Sequence, residues 1–389
     1  MPVQAPIDGL SATLQVLRDG QPRTRAELSL LTGQARSTIA ERVDRLLAAK
    51  LIAPSGKAMS TGGRPSTTFA FNPTARVVLA INLDERHAHV AVTDLSAKIL
   101  VEDRVSVILG DGPQVVLPLV ATTCRRIIGA AGCSLDDVIG VGLGLPGPVD
   151  HATGQPINTS TMSGWQDTDV QRQLQSQLTS VPVLVDNDAN IMALGERAVE
   201  YPATNHLLFL KVGTQIDAGI ISDGSIMRGA QGIAGSIGHV IVPGRDNIPC
   251  RCGNTGCLDA VASGMAIAAI LADADVHATQ GFDVAAQVRA GDEQAIAAVR
   301  DAGRALGIVL STCVSLLNPA VIVIGGDLAV AGEHLLAGIR ETVYRRSLPL
   351  TTQHLHIAIS RTGNRAAIYG ASTSVIEYVF SGDFLETIV

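Results

Sequence analysis

Three cysteines and a histidine stand close together in the chain: His239, then Cys250-x-Cys252-x4-Cys257. Three thiolates and one imidazole make a complete tetrahedral donor set, with no position left open for a substrate. These residues predict one structural zinc per chain, zinc because thiolates are soft ligands. A second group ends an apolar run: Val181-Pro-Val-Leu-Val-Asp186-Asn187-Asp188-Ala-Asn190. An Asn–Asp pair can hold two vicinal hydroxyls, and a carboxylate there can act as a general base toward a hydroxyl. The same residues also suit a capped strand-to-helix turn. A third group, Gly229-x2-Gly232-x-Ala234-Gly235-Ser236-x-Gly238-His239, would let backbone pass close to a ligand. His239 ends this loop, so a bound metal would fix it in place. A fourth, Asn318-Pro-Ala-Val-Ile-Val-Ile-Gly325-Gly326, reads as a buried strand ending in a nucleotide-style glycine turn.

The elements that position these groups follow from periodicity. Residues 77–83 form a buried-strand run, 89–94 and 98–107 two further strands, and 114–130 a helix. Another strand spans 138–145 and ends in Pro146-Gly147-Pro148. The theme repeats later, with strands at 207–212, 218–222 and 225–227, the last two joined by Asp223-Gly224 as a tight hairpin. Two halves, each opening on a strand meander followed by helices, predict a duplicated α/β fold with a cleft between lobes, where small ligands bind.

The first 75 residues differ in character. They carry nine Lys/Arg against five Asp/Glu, a net +4, whereas the remainder carries −11. Residues 9–18 suggest a short helix. Thr24-Arg-Ala-Glu27 is a capping box that opens a second helix, and Thr32-Gly33 ends it. A third helix follows from Arg36 to Ala49, with Ile39, Val43, Leu46 and Leu47 on one face. Its other face and first turn carry Arg36, Ser37, Thr38, Glu41, Arg42 and Arg45, residue types that bond phosphates and base edges in a major groove. Strands at 51–53 and 67–71 flank Gly62-Gly63-Arg64-Pro65. An extended Arg64 held by proline suits a narrow minor groove, and the composition also suits a plain flexible linker. The expectation is a winged helix-turn-helix that binds double-stranded DNA.

Bulk composition agrees with folded domains. Hydrophobic residues make up 47% of the 389 and charged residues 17%, enough to build large cores. Aromatics are 3%, so the cores rest on Ala, Val, Leu and Ile. Apolar runs stop short of the ~18 residues of a spanning helix. The first ten residues lack the basic-then-apolar order of a secretory signal, so a cytoplasmic protein with no membrane partner is expected. Cys124, Cys133 and Cys313 lie in apolar helical contexts and read as small buried hydrophobes.

Taken together, the histidine–cysteine group, its glycine loop, the Asp-Asn-Asp turn and the basic head resemble the ROK family of repressors, uncharacterised reading frames and sugar kinases. The resemblance spans the whole chain and points to the repressor branch. It implies a two-lobed actin-like (ribonuclease H-like) α/β body behind the winged helix. The domains would be 1–75, then a small lobe 76–188 completed by a C-terminal helix 365–389, then a large lobe 189–364 with the zinc site. It also implies His239, Cys250, Cys252 and Cys257 as zinc ligands. Gly147, Asn158, Asn187, Asp188, Ser236, His239 and Asp259 would fall at sugar-site positions, with Asp188 at the place of the kinase base.

The chain departs from the kinase pattern on the phosphate side. Kinases of the family open with Asp-x-Gly-Gly-Thr-Lys, and here the stretch is Asn82-Leu-Asp84-Glu85-Arg86-His87. Two glycines have become carboxylates, which repel phosphate and block close backbone approach. The second loop, Gly-Thr-Gly-x-Gly in kinases, reads Gly213-Thr-Gln-Ile-Asp217. The family's glutamate before Ile-Gly-His is Ser236, and the one after the last cysteine is Asp259. The cleft is thus expected to take another sugar, a polyol, a sugar phosphate, or nothing. The expected protein is a non-enzymatic, sugar-responsive repressor, a homodimer or dimer of dimers on an inverted-repeat operator. An active sugar kinase with a DNA-binding head, and a ligand-independent DNA-binding scaffold, are the competing readings.

Overall fold

Two five-stranded sheets of the same strand order form the body, as the repeated meander predicts. The computed structural model describes residues 9–389 apart from 58–65, 152, 158–161, 163, 167, 179, 274, 275, 277 and 279. In the first half, β4 (Val77–Leu83), β5 (His87–Asp94) and β6 (Ile99–Ser106) run antiparallel, and β7 (Val138–Leu145) and β10 (Val183–Asn187) add in parallel beside β4. In the second, β11 (Leu207–Val212), β12 (Ile216–Ser222) and β13 (Ser225–Ile226) form the meander, and β14 (Val321–Gly325) and β15 (His356–Ile359) add in parallel beside β11. Both orders read third, second, first, fourth, fifth. The short strands β8 (Val149–Asp150) and β9 (Gln155–Pro156) make a separate ribbon.

Helices α4 (Pro113–Ala130) and α5 (Val170–Gln177) cover one face of the first sheet. Between the two sheets lie α6 (Asp188–Glu200) and α13 (Ala366–Val379), α13 against β4 and β7, α6 against β11 and β12. They cross closely because Gly195 and Gly370 meet there, and a Cβ on either would overlap the other helix's backbone. The outer face of the second sheet is covered by α7 (Leu258–Ala262), α8 (Gly264–Ala272), α9 (Gly281–Arg289), the 25-residue α10 (Glu293–Leu317) and α11 (Glu333–Arg346), and the short α12 (Pro349–Thr352) follows with no buried residue. Among the described residues no helix is long and apolar enough to cross a membrane.

The head holds α1 (Leu10–Leu17), α2 (Arg25–Thr32) and α3 (Arg36–Ala48), with a sheet of β1 (Arg23–Thr24), β3 (Thr67–Phe71) and β2 (Ile52–Lys57). The capping box is present: Glu27 N–H donates to Thr24 Oγ1, and Thr24 N–H to Glu27 Oε2 at 2.7 Å. Gly33 adopts φ 70°, the left-handed turn between α2 and α3. The wing tip with Arg64 lies outside the described residues.

The C-terminal segment 365–389 is two helices. The chain turns at Phe380–Ser381, and α14 (Gly382–Ile388) follows. The turn lets α13 stay on the body while α14 packs on α1 of the head. Leu10, Leu14 and Leu17 share one core with Ile376, Val379 and Phe380. Ser11 Oγ donates to the Phe380 carbonyl at 2.6 Å, and the Arg18 guanidinium sits 5.3 Å from the Phe380 ring centre.

Candidate functional site

The histidine and the three cysteines converge. One ligand atom from each of His239, Cys250, Cys252 and Cys257 lies within 4.8 Å of the others. Cys250 Sγ is 3.8 Å from His239 Nδ1, and Cys252 Sγ is 3.7 Å from Cys257 Sγ. A tetrahedral zinc with bonds of about 2.3 Å to sulfur needs edges of roughly 3.8 Å, so the donor set fits the ion in type and spacing. The knuckle is local: Cys250 N–H donates to the Asn254 carbonyl at 2.8 Å, and Gly253 takes φ 93°. Cys257 is the N-cap of α7, which places Asp259 in that helix's first turn.

The glycine loop before His239 packs on the protein itself. A Cβ at Gly235 would overlap the Ala218 carbonyl, and one at Gly238 the Ile216 carbonyl, both on β12. The close backbone approach expected toward a ligand is thus made toward β12. Ser236 is exposed, and its hydroxyl turns back to the Ile233 carbonyl at 3.1 Å. Asp259, 8% exposed, accepts the Ile216 N–H at 2.8 Å, which ties the metal-side helix to the same strand.

The Asp-Asn-Asp turn sits where β10 becomes α6. Asn187 is the N-cap, its Oδ1 accepting from Ala189 and Asn190 N–H. Its Nδ2 donates to the Gly147 carbonyl at 3.0 Å and to Asp217 Oδ2 at 2.9 Å. Every hydrogen-bonding position of Asn187 is therefore engaged, and the capped-turn reading of this residue is realised here. Asp186 is also saturated, by Asn190 Nδ2 and by Arg228 Nε and Nη2 at 2.9 and 2.8 Å. Asn158 lies outside the described residues.

Asp188 is different. Its Oδ2 is ion-paired to Lys211 Nζ, while its Oδ1 is buried with no hydrogen-bond partner among the described residues. Burial raises its pKa, against the opposing pull of Lys211. Lys211 sits directly across from Asp217 in the β11–β12 register. Burial works to lower the Lys211 pKa, but Asp188, Asp217 and Asp84 outweigh it and raise it. Burial and the nearby Asp188 push Asp217 up to about 7. Asp327, just past Gly325-Gly326, is raised by burial and by Asp84.

On the phosphate side, Asp84 closes the β4–β5 turn on itself, accepting Arg86 and His87 N–H at 2.7 and 2.6 Å. A cavity of about 730 Å³ at this mouth is lined by Glu85, Arg86 and His87 from the first half and by Arg251 and Gln280 from the second. A cavity of about 890 Å³ runs along the free edge of β10 toward the head, past Leu51, Asp186 and Phe384.

In the head, Arg36, Ser37 and Glu41 are exposed on α3, and Thr38 and Arg42 are half-buried. Arg45 turns toward the C-terminal helix and pairs with Glu386 at 2.8 Å. Lys211, Arg228 and Glu386 escape a motif reading. A lysine inside the apolar run Leu207-Leu-Phe-Leu-Lys-Val is the one visible signal for Lys211.

Comparison with known proteins bears on this arrangement. The profile described as ROK family matches residues 78–377. A xylose repressor of Bacillus spizizenii is 28% identical over 367 residues, covering 94% of this chain and 94% of that protein. A glucokinase of Halalkalibacterium halodurans is 35% identical over 276 residues, covering 67% of this chain and 83% of the enzyme. The crystal structure of a ROK family transcriptional regulator, described as a homologue of the Mlc protein of E. coli, superposes with a TM-score of 0.84 at 24% identity, covering 98% of each chain.

Proposed function

The chain belongs to the ROK family, and from that premise we propose that it is a sugar-responsive transcriptional repressor. The observation that carries this reading is extent: likeness to a repressor runs over 94% of both chains, head included, whereas the glucokinase covers 67% of this one. The exposed face of α3, with Arg36, Ser37 and Glu41, reads an operator in the major groove. A sugar or sugar derivative enters the cleft beside Asp188 and Asp217. Because α13 joins the body's helix pair to α14 and so to α1 and α3, a shift between lobes reaches the head through a packed path. The sugar moves DNA occupancy only as far as it prefers one lobe arrangement. A homodimer or dimer of dimers supplies two heads for an inverted repeat.

Kinase activity is lost in this reading. Phosphoryl transfer depends on positioning and charge stabilisation. Here carboxylates at Asp84, Glu85 and Asp217 stand where phosphate would pass, and the base position Asp188 is held by Lys211. The zinc is structural and fastens the loop of His239 to α7.

A mobility-shift titration on the protein's own upstream DNA, with and without a panel of sugars and sugar phosphates, tests the proposal. Specific binding relieved by one compound is expected. Binding that no compound alters supports the ligand-independent scaffold, and ADP formation with any sugar supports the kinase. Metal analysis of purified protein should give about one zinc per chain.

A further inference from the structure

Lys211 lies in a strand whose other residues are apolar, and the fold decides where its ammonium goes. The register of β11 and β12 sets it opposite Asp217, and it reaches across to Asp188 at the start of α6. Both partners are shielded, the Asp188 side chain 2% exposed and that of Lys211 19%. The groups facing this pair are Asp84 and Asn82 from β4 and its turn, Asp217 from β12, and Asp327 beyond β14. A Cβ at Gly144 would meet both Asn82 Oδ1 and the Asp188 backbone, so Asn82 and the start of α6 both lie against Gly144. Among the described residues, Asn82 Oδ1 and Asp188 Oδ1 are both buried acceptors without a hydrogen-bond donor. Acceptors left unpaired in a buried site carry a desolvation cost that a ligand hydroxyl would relieve.

Resting on the reading of the cleft as a sugar site, we infer that Lys211 is the positioning residue that fixes the ligand class. It holds Asp188 as an ionised acceptor for a hydroxyl of a neutral sugar. The ammonium is already committed to Asp188 and is surrounded by Asp84, Asp217 and Asp327, so a phosphate placed beside it meets carboxylates rather than a free cation. Without Lys211, a buried carboxylate among other carboxylates takes up a proton and ceases to be a pure acceptor.

The test uses the full-length protein in two arms. In the first, aspartate carboxyl carbons are labelled and followed by NMR from about pH 5 to about pH 9, with Asp188→Asn giving the assignment. Wild-type Asp188 should stay ionised through neutral pH, Lys211→Met should bring a carboxyl that titrates near or above neutral, and Lys211→Arg should restore the wild-type behaviour. In the second, calorimetry measures D-xylose, D-glucose, N-acetyl-D-glucosamine and D-glucose 6-phosphate. A neutral sugar should bind and the phosphate ester should not. Lys211→Met should weaken binding roughly ten-fold or more at neutral pH, the loss of one charge-assisted hydrogen bond, with recovery as pH rises. The wild type and Lys211→Arg should vary with pH only as the Asp217 carboxyl, pushed up to about 7, changes charge. Tighter binding of the phosphate ester, or a Lys211→Met profile identical to wild type, would overturn the inference alone. If no sugar binds, the sugar-site reading itself fails and this inference with it. Should Lys211→Met not fold, a wild-type Asp188 that titrates near neutral overturns the inference by itself.

Discussion

The duplicated sheet places an equivalent turn after the first strand of each half: residues 84–86 between β4 and β5, and residues 213–215 between β11 and β12. The first turn gains Asp84 and Glu85 and the strand after the second gains Asp217, yet the two halves solve the charge differently. Asp84 is exposed and satisfied by the amides of its own turn. Asp217 lies on a strand, bonded to Asn187 and facing Lys211, which is bound in turn to Asp188. A carboxylate at a solvated turn is a local matter. One on a strand, facing other charged groups, needs partners from other elements, and so it couples β10, α6, β11 and β12.

That contrast can be broken at its strongest point first. Lys211→Met strands a buried carboxylate, and removing one partner of such a pair costs about 3–5 kcal/mol. Denaturant melts should show the loss, larger at alkaline pH than at acid pH, where Asp188 can be protonated. A next, smaller effect concerns Asp217. Its folded-state pKa of about 7 lies above the usual 3.8, so the folded form binds the proton more tightly than the unfolded chain. This contribution to stability is present at low pH and is lost as pH rises toward and through 7. Asp217→Asn should therefore leave stability little changed near pH 4 and raise it by roughly 2–4 kcal/mol above pH 8. An Asn oxygen can still accept from Asn187. A variant that is no more stable at high pH would show that Lys211 already compensates the charge. The smallest effect belongs to the first turn: Asp84→Ala removes two amide contacts at an exposed site and should cost about 1 kcal/mol, with a coupling to Lys211 in a double-mutant cycle well below that of Asp217. Coupling as large as that of Asp217 would erase the distinction between the two turns.

Much of the framework was legible because it is local. Strand runs, the Thr24–Glu27 box and the left-handed Gly33 are decided within a few residues of chain. The metal cluster was legible for a related reason: Cys250, Cys252 and Cys257 lie within one knuckle, and only His239 comes from a short distance away. The hydroxyl pair was half legible. Asn187 and Asp188 were visible as polar residues ending a buried strand, but whether Asn187 caps a helix or faces a ligand depends on what surrounds it. The break at Phe380–Ser381, which sends α14 to the head, leaves little mark in the helical pattern of 365–389.

The sequence by itself determined the two meanders, the helices of the head, the zinc donor set and the carboxylates on the phosphate side, since each depends on residue type and short spacing. Only the tertiary structure decided that Asp188 is bound to Lys211, that Arg45 is turned to Glu386, and that Gly235 and Gly238 of the metal loop pack on β12. These are contacts between elements distant in sequence, and the direction of a buried side chain is set by register and helix crossing, which no short stretch of chain contains.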